Sequence, residues 1–155
     1  MPGLHPDLEP LAFLLGTWSG RGRGTYPTVE PFDYLEEITV EHAGGRFLRY
    51  EQRTRDVAGE RPLHTETGYL RPGRPGFVEW VVVQPTGIVE VDEGVVDGTT
   101  LRVRSRIVGL TRTAKRVDTV ERRLHAESTT LTAVLLMGAV GEPHQVHLQA
   151  TLARR

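Results

Sequence analysis

Leu15-Gly16-Thr17-Trp18-Ser19-Gly20-Arg21-Gly22-Arg23-Gly24 decides the fold of this chain. Its Gly-x-Trp-x-Gly-x-Gly pattern, carried by Gly16, Trp18, Gly20 and Gly22, opens a strand whose glycines permit bending and close backbone approach. Trp18 supplies the large apolar plug that the narrowing end of a small closed barrel requires.

Outward from this stretch the apolar period is two almost everywhere. Ten runs lie near residues 17–26, 34–41, 46–55, 64–71, 76–84, 87–94, 100–108, 114–124, 129–137 and 146–154. Turn-rich segments such as 43–45, 57–60, 72–76, 85–87, 97–98 and 141–143 separate them, at the spacing of an all-β barrel or sandwich. The clearest alternation sets Leu101, Val103, Ser105 and Ile107 against Arg102, Arg104 and Arg106, one buried face and one solvated. On the other side of the opening stretch, residues 6–16 read as a short helical turn capped by Asp7 and ended by Gly16.

No repeat, linker or long connection intervenes. The expected architecture is therefore an all-β, about ten-stranded antiparallel up-and-down β-barrel with a short N-terminal helix capping one end, a single domain over residues 1–155. Ten strands enclose more room than their own side chains fill, since about eight is already the filling limit, so a cavity is expected.

The composition excludes several functions. Of the 155 residues, 19 are Lys or Arg and 20 are Asp or Glu, so the formal net charge is -1 and no basic field exists to hold nucleic acid or an anionic membrane. The absence of cysteine excludes disulfides, thiolate catalysis and Cys-ligated metal centres, and suits a reducing compartment. Met1-Pro2-Gly3-Leu4-His5-Pro6 has neither a basic nor an apolar leader region, and no window approaches a membrane span, so the expected location is the cytoplasm.

No nucleophile elbow, phosphate loop, metalloprotease helix or paired-carboxylate signature is present, which directs attention to a borrowed cofactor and to six histidines. His5, His42 and His125 fall in a terminus or beside turns and read as exposed polar residues. His64 opens a strand and is a minor cavity candidate. His144 and His147 are spaced by three, which on a regular strand places them on opposite faces and excludes a shared metal ion. Against His147, Leu148, Ala150 and Leu152 form an inward face that turns it outward, unless a bend after Pro143 or a bulge rotates it back.

The chain resembles the nitrobindins, haem proteins whose fold is similar to the lipocalin and fatty-acid-binding-protein barrels. Nearly the whole chain carries the likeness: residues 16–22, 24–28 leading to Tyr34-Leu35-Glu36-Glu37, 63–69, 86–91, 114–117 and 147–152. The resemblance implies haem b, one per subunit and ferric, with His147 as axial iron ligand and catalytic through that iron. It further implies Thr28 beside the haem and Lys115, or Arg116 by a shifted register, at a propionate.

The implied activity is isomerisation of peroxynitrite to nitrate by a Lewis-acidic iron, with nitric oxide bound or scavenged at the open coordination position. An open side walled by Trp80, Val82, Leu135 or Met137 with no donor nearby disfavours oxygen storage. The competing reading is a non-haem barrel carrying a fatty acid or other small apolar ligand, for which Arg49 or Arg53 would clamp a carboxylate. A homodimer stays open, because no exposed apolar stripe is evident in the sequence to specify an interface.

Overall fold

Strands form at all ten alternating runs of the chain in a computed structural model, which describes residues 3–155. Met1 and Pro2, part of the stretch read for a leader, lie outside the described residues. The strands are β1 (Gly16–Tyr26), β2 (Val29–His42), β3 (Leu48–Arg55), β4 (Pro62–Pro72), β5 (Phe77–Gln84), β6 (Ile88–Asp97), β7 (Thr100–Leu110), β8 (Val117–Glu127), β9 (Thr130–Ala139) and β10 (Gln145–Arg154). Each pairs antiparallel with its neighbours in the chain, and β1 pairs with β10 to close the barrel, from Trp18 opposite Arg154 to Gly24 opposite Leu148. Among the described residues, no helix is long and apolar enough to cross a membrane.

The glycines of β1 make room. Gly20, Gly22 and Gly24 pair with Glu36, Tyr34 and Phe32 of β2. A Cβ on Gly22 would lie 2.3 Å from the Tyr34 ring, and one on Gly24 would lie 2.3 Å from the Phe32 ring. Both rings therefore lie across the β1 backbone, where any side chain would collide with them.

One end is plugged as expected, with local differences. Residues Pro6–Leu14 form a 3-10 helix whose three-residue period buries Leu8, Leu11 and Leu14 against Trp18, and the Trp18 indole donates to the Leu14 carbonyl at 2.9 Å. Asp7 does not cap this helix. His5 does, its Nδ1 accepting the Asp7 amide, while the Asp7 carboxylate pairs with Arg46 at 2.7 Å. Arg154 of β10 stacks its guanidinium 4.1 Å from the Trp18 ring centroid and donates to Phe13 and Leu15 carbonyls.

The β7 alternation holds at Leu101, Val103 and Ser105 and fails at Ile107. The register with β6 slips between Val91 and Asp92, inserting one extra residue of β7 and leaving Ile107 54% exposed. Ile107 then joins Val91, Val81 and Tyr69 in a row of directly paired outward residues across β7, β6, β5 and β4, flanked by exposed Val83 and Val89. The barrel thus carries an exposed apolar stripe that strand-by-strand reading misses.

Candidate functional site

The barrel encloses a cavity of about 810 Å³, whose mouth is formed at the end away from the helix. The β1–β2 turn contributes Thr28, the β3–β4 connection Asp56 and Arg61, and the β7–β8 connection Lys115 and Arg116. Thr28, Lys115 and Arg116 are all exposed at this rim. Arg116 is held by Asp118 at 2.9 Å, whereas Lys115 makes no ion pair among the described residues.

His147 lines the cavity together with its chain neighbour Leu148. Two consecutive residues share a face because the β10–β9 register slips between Val146 and Leu148, so His147 is the extra residue of a bulge. The pleat argument holds for Leu148, Ala150 and Leu152 and is broken at this one position. The His147 ring packs edge-on against Tyr26, with centroids 5.2 Å apart, and near Phe32 at 6.4 Å. Its Nδ1 lies 3.1 Å from the Thr25 carbonyl oxygen, which can only accept, so Nδ1 carries the proton and Nε2 the lone pair. Burial lowers the imidazole below the usual histidine range, which keeps it neutral and able to bind a metal.

Across the lumen lies a polar cluster that sequence reading overlooked. Arg122 of β8 points inward and is 5% exposed. Its guanidinium bonds Glu66 of β4 at 2.5 and 3.2 Å and Glu90 of β6 at 3.0 and 2.7 Å, and lies 5.3 Å from the Trp80 ring centroid. The Tyr50 hydroxyl donates to Glu66 at 2.7 Å, and His64 Nε2 lies 3.2 Å from the other Glu66 oxygen. Burial alone would raise the Glu66 carboxyl, but Arg122 and His64 hold it well below the usual carboxylate range. Asp92, 3.5 Å from Arg122, is pushed up to about 9 by burial and by Glu90, so it stays a neutral acid.

Arg49 and Arg53, the expected carboxylate clamps, face outward and pair with Glu41 and Glu37 instead. Trp80, Leu135 and Met137 line the cavity, whereas Val82 is buried in the core away from it. Trp80 lies on β5, opposite β10 in the ring of strands, while Leu135 and Met137 lie on β9 beside His147. The wall facing His147 is therefore partly polar, with His64 and Glu66 on β4 next to Trp80. His144 is turned away from the cavity wall, where Nδ1 meets the Thr119 hydroxyl at 2.8 Å. His42 bonds the Gly45 carbonyl at 3.0 Å, and His125 meets the Thr100 hydroxyl on the outside.

The inward polar residues were legible only once closure was known. In β3, Leu48-Arg49-Tyr50-Glu51-Gln52-Arg53-Thr54-Arg55 reads as polar on both faces, yet a closed barrel must turn one face inward, here Tyr50, Gln52 and Thr54.

A closed lumen with a neutral, bulge-presented imidazole and a cationic rim defines a ligand-binding β-barrel. The sequence profile of the THAP4-like, heme-binding beta-barrel domain matches residues 7–154, and the chain belongs to that family. It is similar to Peroxynitrite isomerase 2 of Mycobacterium avium (strain 104), 50% identical over 156 aligned residues that cover 98% of this chain and 97% of the relative. Peroxynitrite isomerase of Nocardia farcinica (strain IFM 10152) is 51% identical, covering 97% of this chain and 92% of the relative. The crystal structure of Rv2717c from M. tuberculosis superposes with a TM-score of 0.94 at 47% identity and covers 99% of both chains.

Proposed function

We propose that the chain, as one unit over residues 1–155, binds a single ferric haem b and isomerises peroxynitrite to nitrate, binding nitric oxide at the same centre. His147 presented by the β10 bulge carries this reading: a neutral imidazole with Nδ1 anchored on a carbonyl, and Nε2 without a hydrogen-bond partner among the described residues, would suit an iron ligand. The residues present fit the group. The cavity volume lies in the range of small-molecule and cofactor sites, Thr28 stands at its mouth, and Lys115 is a rim cation engaged by no carboxylate among the described residues.

Bound haem would supply a Lewis-acidic metal. The chain's own residues do the rest. Thr25 fixes the imidazole tautomer, Tyr26 and Phe32 fix its ring plane, and Lys115 would hold a propionate at the rim, with Arg116 occupied by Asp118. The carrier reading loses its clamp, because the inward arginine, Arg122, is already saturated by carboxylates. The apolar row of Tyr69, Val81, Val91 and Ile107 supports a homodimer through that face, and the cysteine-free composition supports a cytoplasmic location.

The test is haem titration of wild type and His147→Ala, followed by the Soret band, with circular dichroism confirming that both are folded. Loss of the axial bond should weaken haem binding at least about a hundredfold, beyond the 10–100-fold expected of an outer-shell partner. Haem uptake by His147→Ala equal to that of wild type would overturn the assignment.

A further inference from the structure

Glu36 is a lumen acid that forms no ion pair among the described residues. It lies on β2, lines the cavity and is 8% exposed. Among the described residues its one side-chain partner is the Gln52 amide, 3.3 Å away, and the Gln52 Oε1 atom is itself buried without a partner there. Opposite Glu36 on β1 stands Gly20, which has no side chain to offer. On β3 the facing groups are Tyr50, Gln52 and Thr54; on β4 they are His64 and Glu66; on β8 it is Arg122. Glu66 and Glu90 absorb the Arg122 guanidinium through four hydrogen bonds, and His64 is turned to Glu66. On its own strand, Glu37 faces the outside, where Arg53 and Arg155 pair with it.

We propose that Glu36 is a specificity residue of the lumen: its carboxylate repels small anions and favours the neutral form of a ligand, here the conjugate acid of peroxynitrite over its anion. This rests on the haem reading and deepens it by naming the protonation form that is admitted. An uncompensated negative charge lining a largely buried cavity acts through low dielectric, where a unit charge raises the free energy of an approaching anion and leaves a neutral diatomic such as nitric oxide untouched. Burial, reinforced by Glu66, pushes the Glu36 carboxyl up to about 7. The discrimination therefore strengthens as pH rises through neutrality, when Glu36 becomes charged.

The experiment measures azide and nitric oxide dissociation constants at the ferric haem of wild type and Glu36→Gln by absorbance, between about pH 6 and pH 8.5, the interval spanning the shifted carboxyl. In wild type, azide should weaken with rising pH about tenfold more than nitric oxide does, because only the anion feels the charge that Glu36 acquires. Nitric oxide at the same iron corrects for hydroxide competition. In Glu36→Gln the excess should vanish. Parallel azide and nitric oxide profiles in wild type, or an excess that persists in Glu36→Gln, would overturn the proposal.

Infrared difference spectra of the haem-free protein, between acidic and alkaline buffer, supply an independent readout. A protonated carboxyl band that titrates near neutrality in wild type and is missing from Glu36→Gln supports the proposal, and its absence from wild type refutes it. Failure of the protein to bind haem would strike the haem reading while leaving this band to decide the state of Glu36.

Discussion

Replacing Arg122 by Met retains most of the side-chain length and removes the charge that holds two buried carboxylates. Arg122 makes four hydrogen bonds, at 2.5 to 3.2 Å, to Glu66 and Glu90, which are 5% and 0% exposed. Removing one partner of a buried ion pair costs about 3–5 kcal/mol, because the remaining charge is left in low dielectric. Against the roughly 5–15 kcal/mol that typically separates folded from unfolded states, this loss is severe.

The pH dependence gives the sharper test. In wild type, Arg122 keeps the folded pKa of Glu66 below its unfolded value, so this carboxylate stabilises the fold above the ordinary carboxylate range and the contribution is lost as pH falls. In Arg122→Met the same carboxylates are stranded, and protonation relieves them. The difference between the two proteins is therefore largest at neutral pH and shrinks in acid. Urea unfolding followed by tryptophan fluorescence across a pH series measures it, and Arg122→Met/Glu66→Gln/Glu90→Gln should recover much of the loss. A neutral-pH difference below about 1 kcal/mol, or one that grows in acid, would refute the reasoning.

Two further outcomes are expected. Gly22→Ala should destabilise the barrel by about 1–3 kcal/mol in urea unfolding, the usual cost of overpacking, because its Cβ meets the Tyr34 ring at 2.3 Å; an unchanged midpoint would count against the glycine argument. Glu36 has a folded pKa of about 7 against an ordinary 4.5, so its stabilising contribution is complete below 4.5 and declines as pH rises to about 7. Urea unfolding across a pH series should consequently show Glu36→Gln gaining up to about 3 kcal/mol over wild type between pH 4.5 and alkaline solution, and an unchanged difference would count against the raised carboxyl.

The fold was legible because closure and alternation reinforce each other. Period-two runs separated by turns placed all ten strands, and the glycines of 16–24 with Trp18 marked the plugged end. What escaped lay where one residue breaks the period. His147 and Ile107 both reverse their faces beside register slips, and a bulge has no sequence signature as distinct as a Gly-Pro turn. The Arg122 cluster escaped for another reason: Glu66, Glu90 and Arg122 come from β4, β6 and β8, no two of which are adjacent, and each looks like a solvated charge until the sheet curls round to bring them together.

The seam between β1 and β10 makes Trp18 and Arg154 partners although nearly the whole chain separates them. Strands β1 to β9 pair as successive local hairpins, whereas this last ladder joins residues 16–26 to residues 145–154, the contact of highest sequence separation in the barrel. The proposed iron ligand rides on that same closing strand, so the pocket it lines is complete only once the two ends of the chain have met.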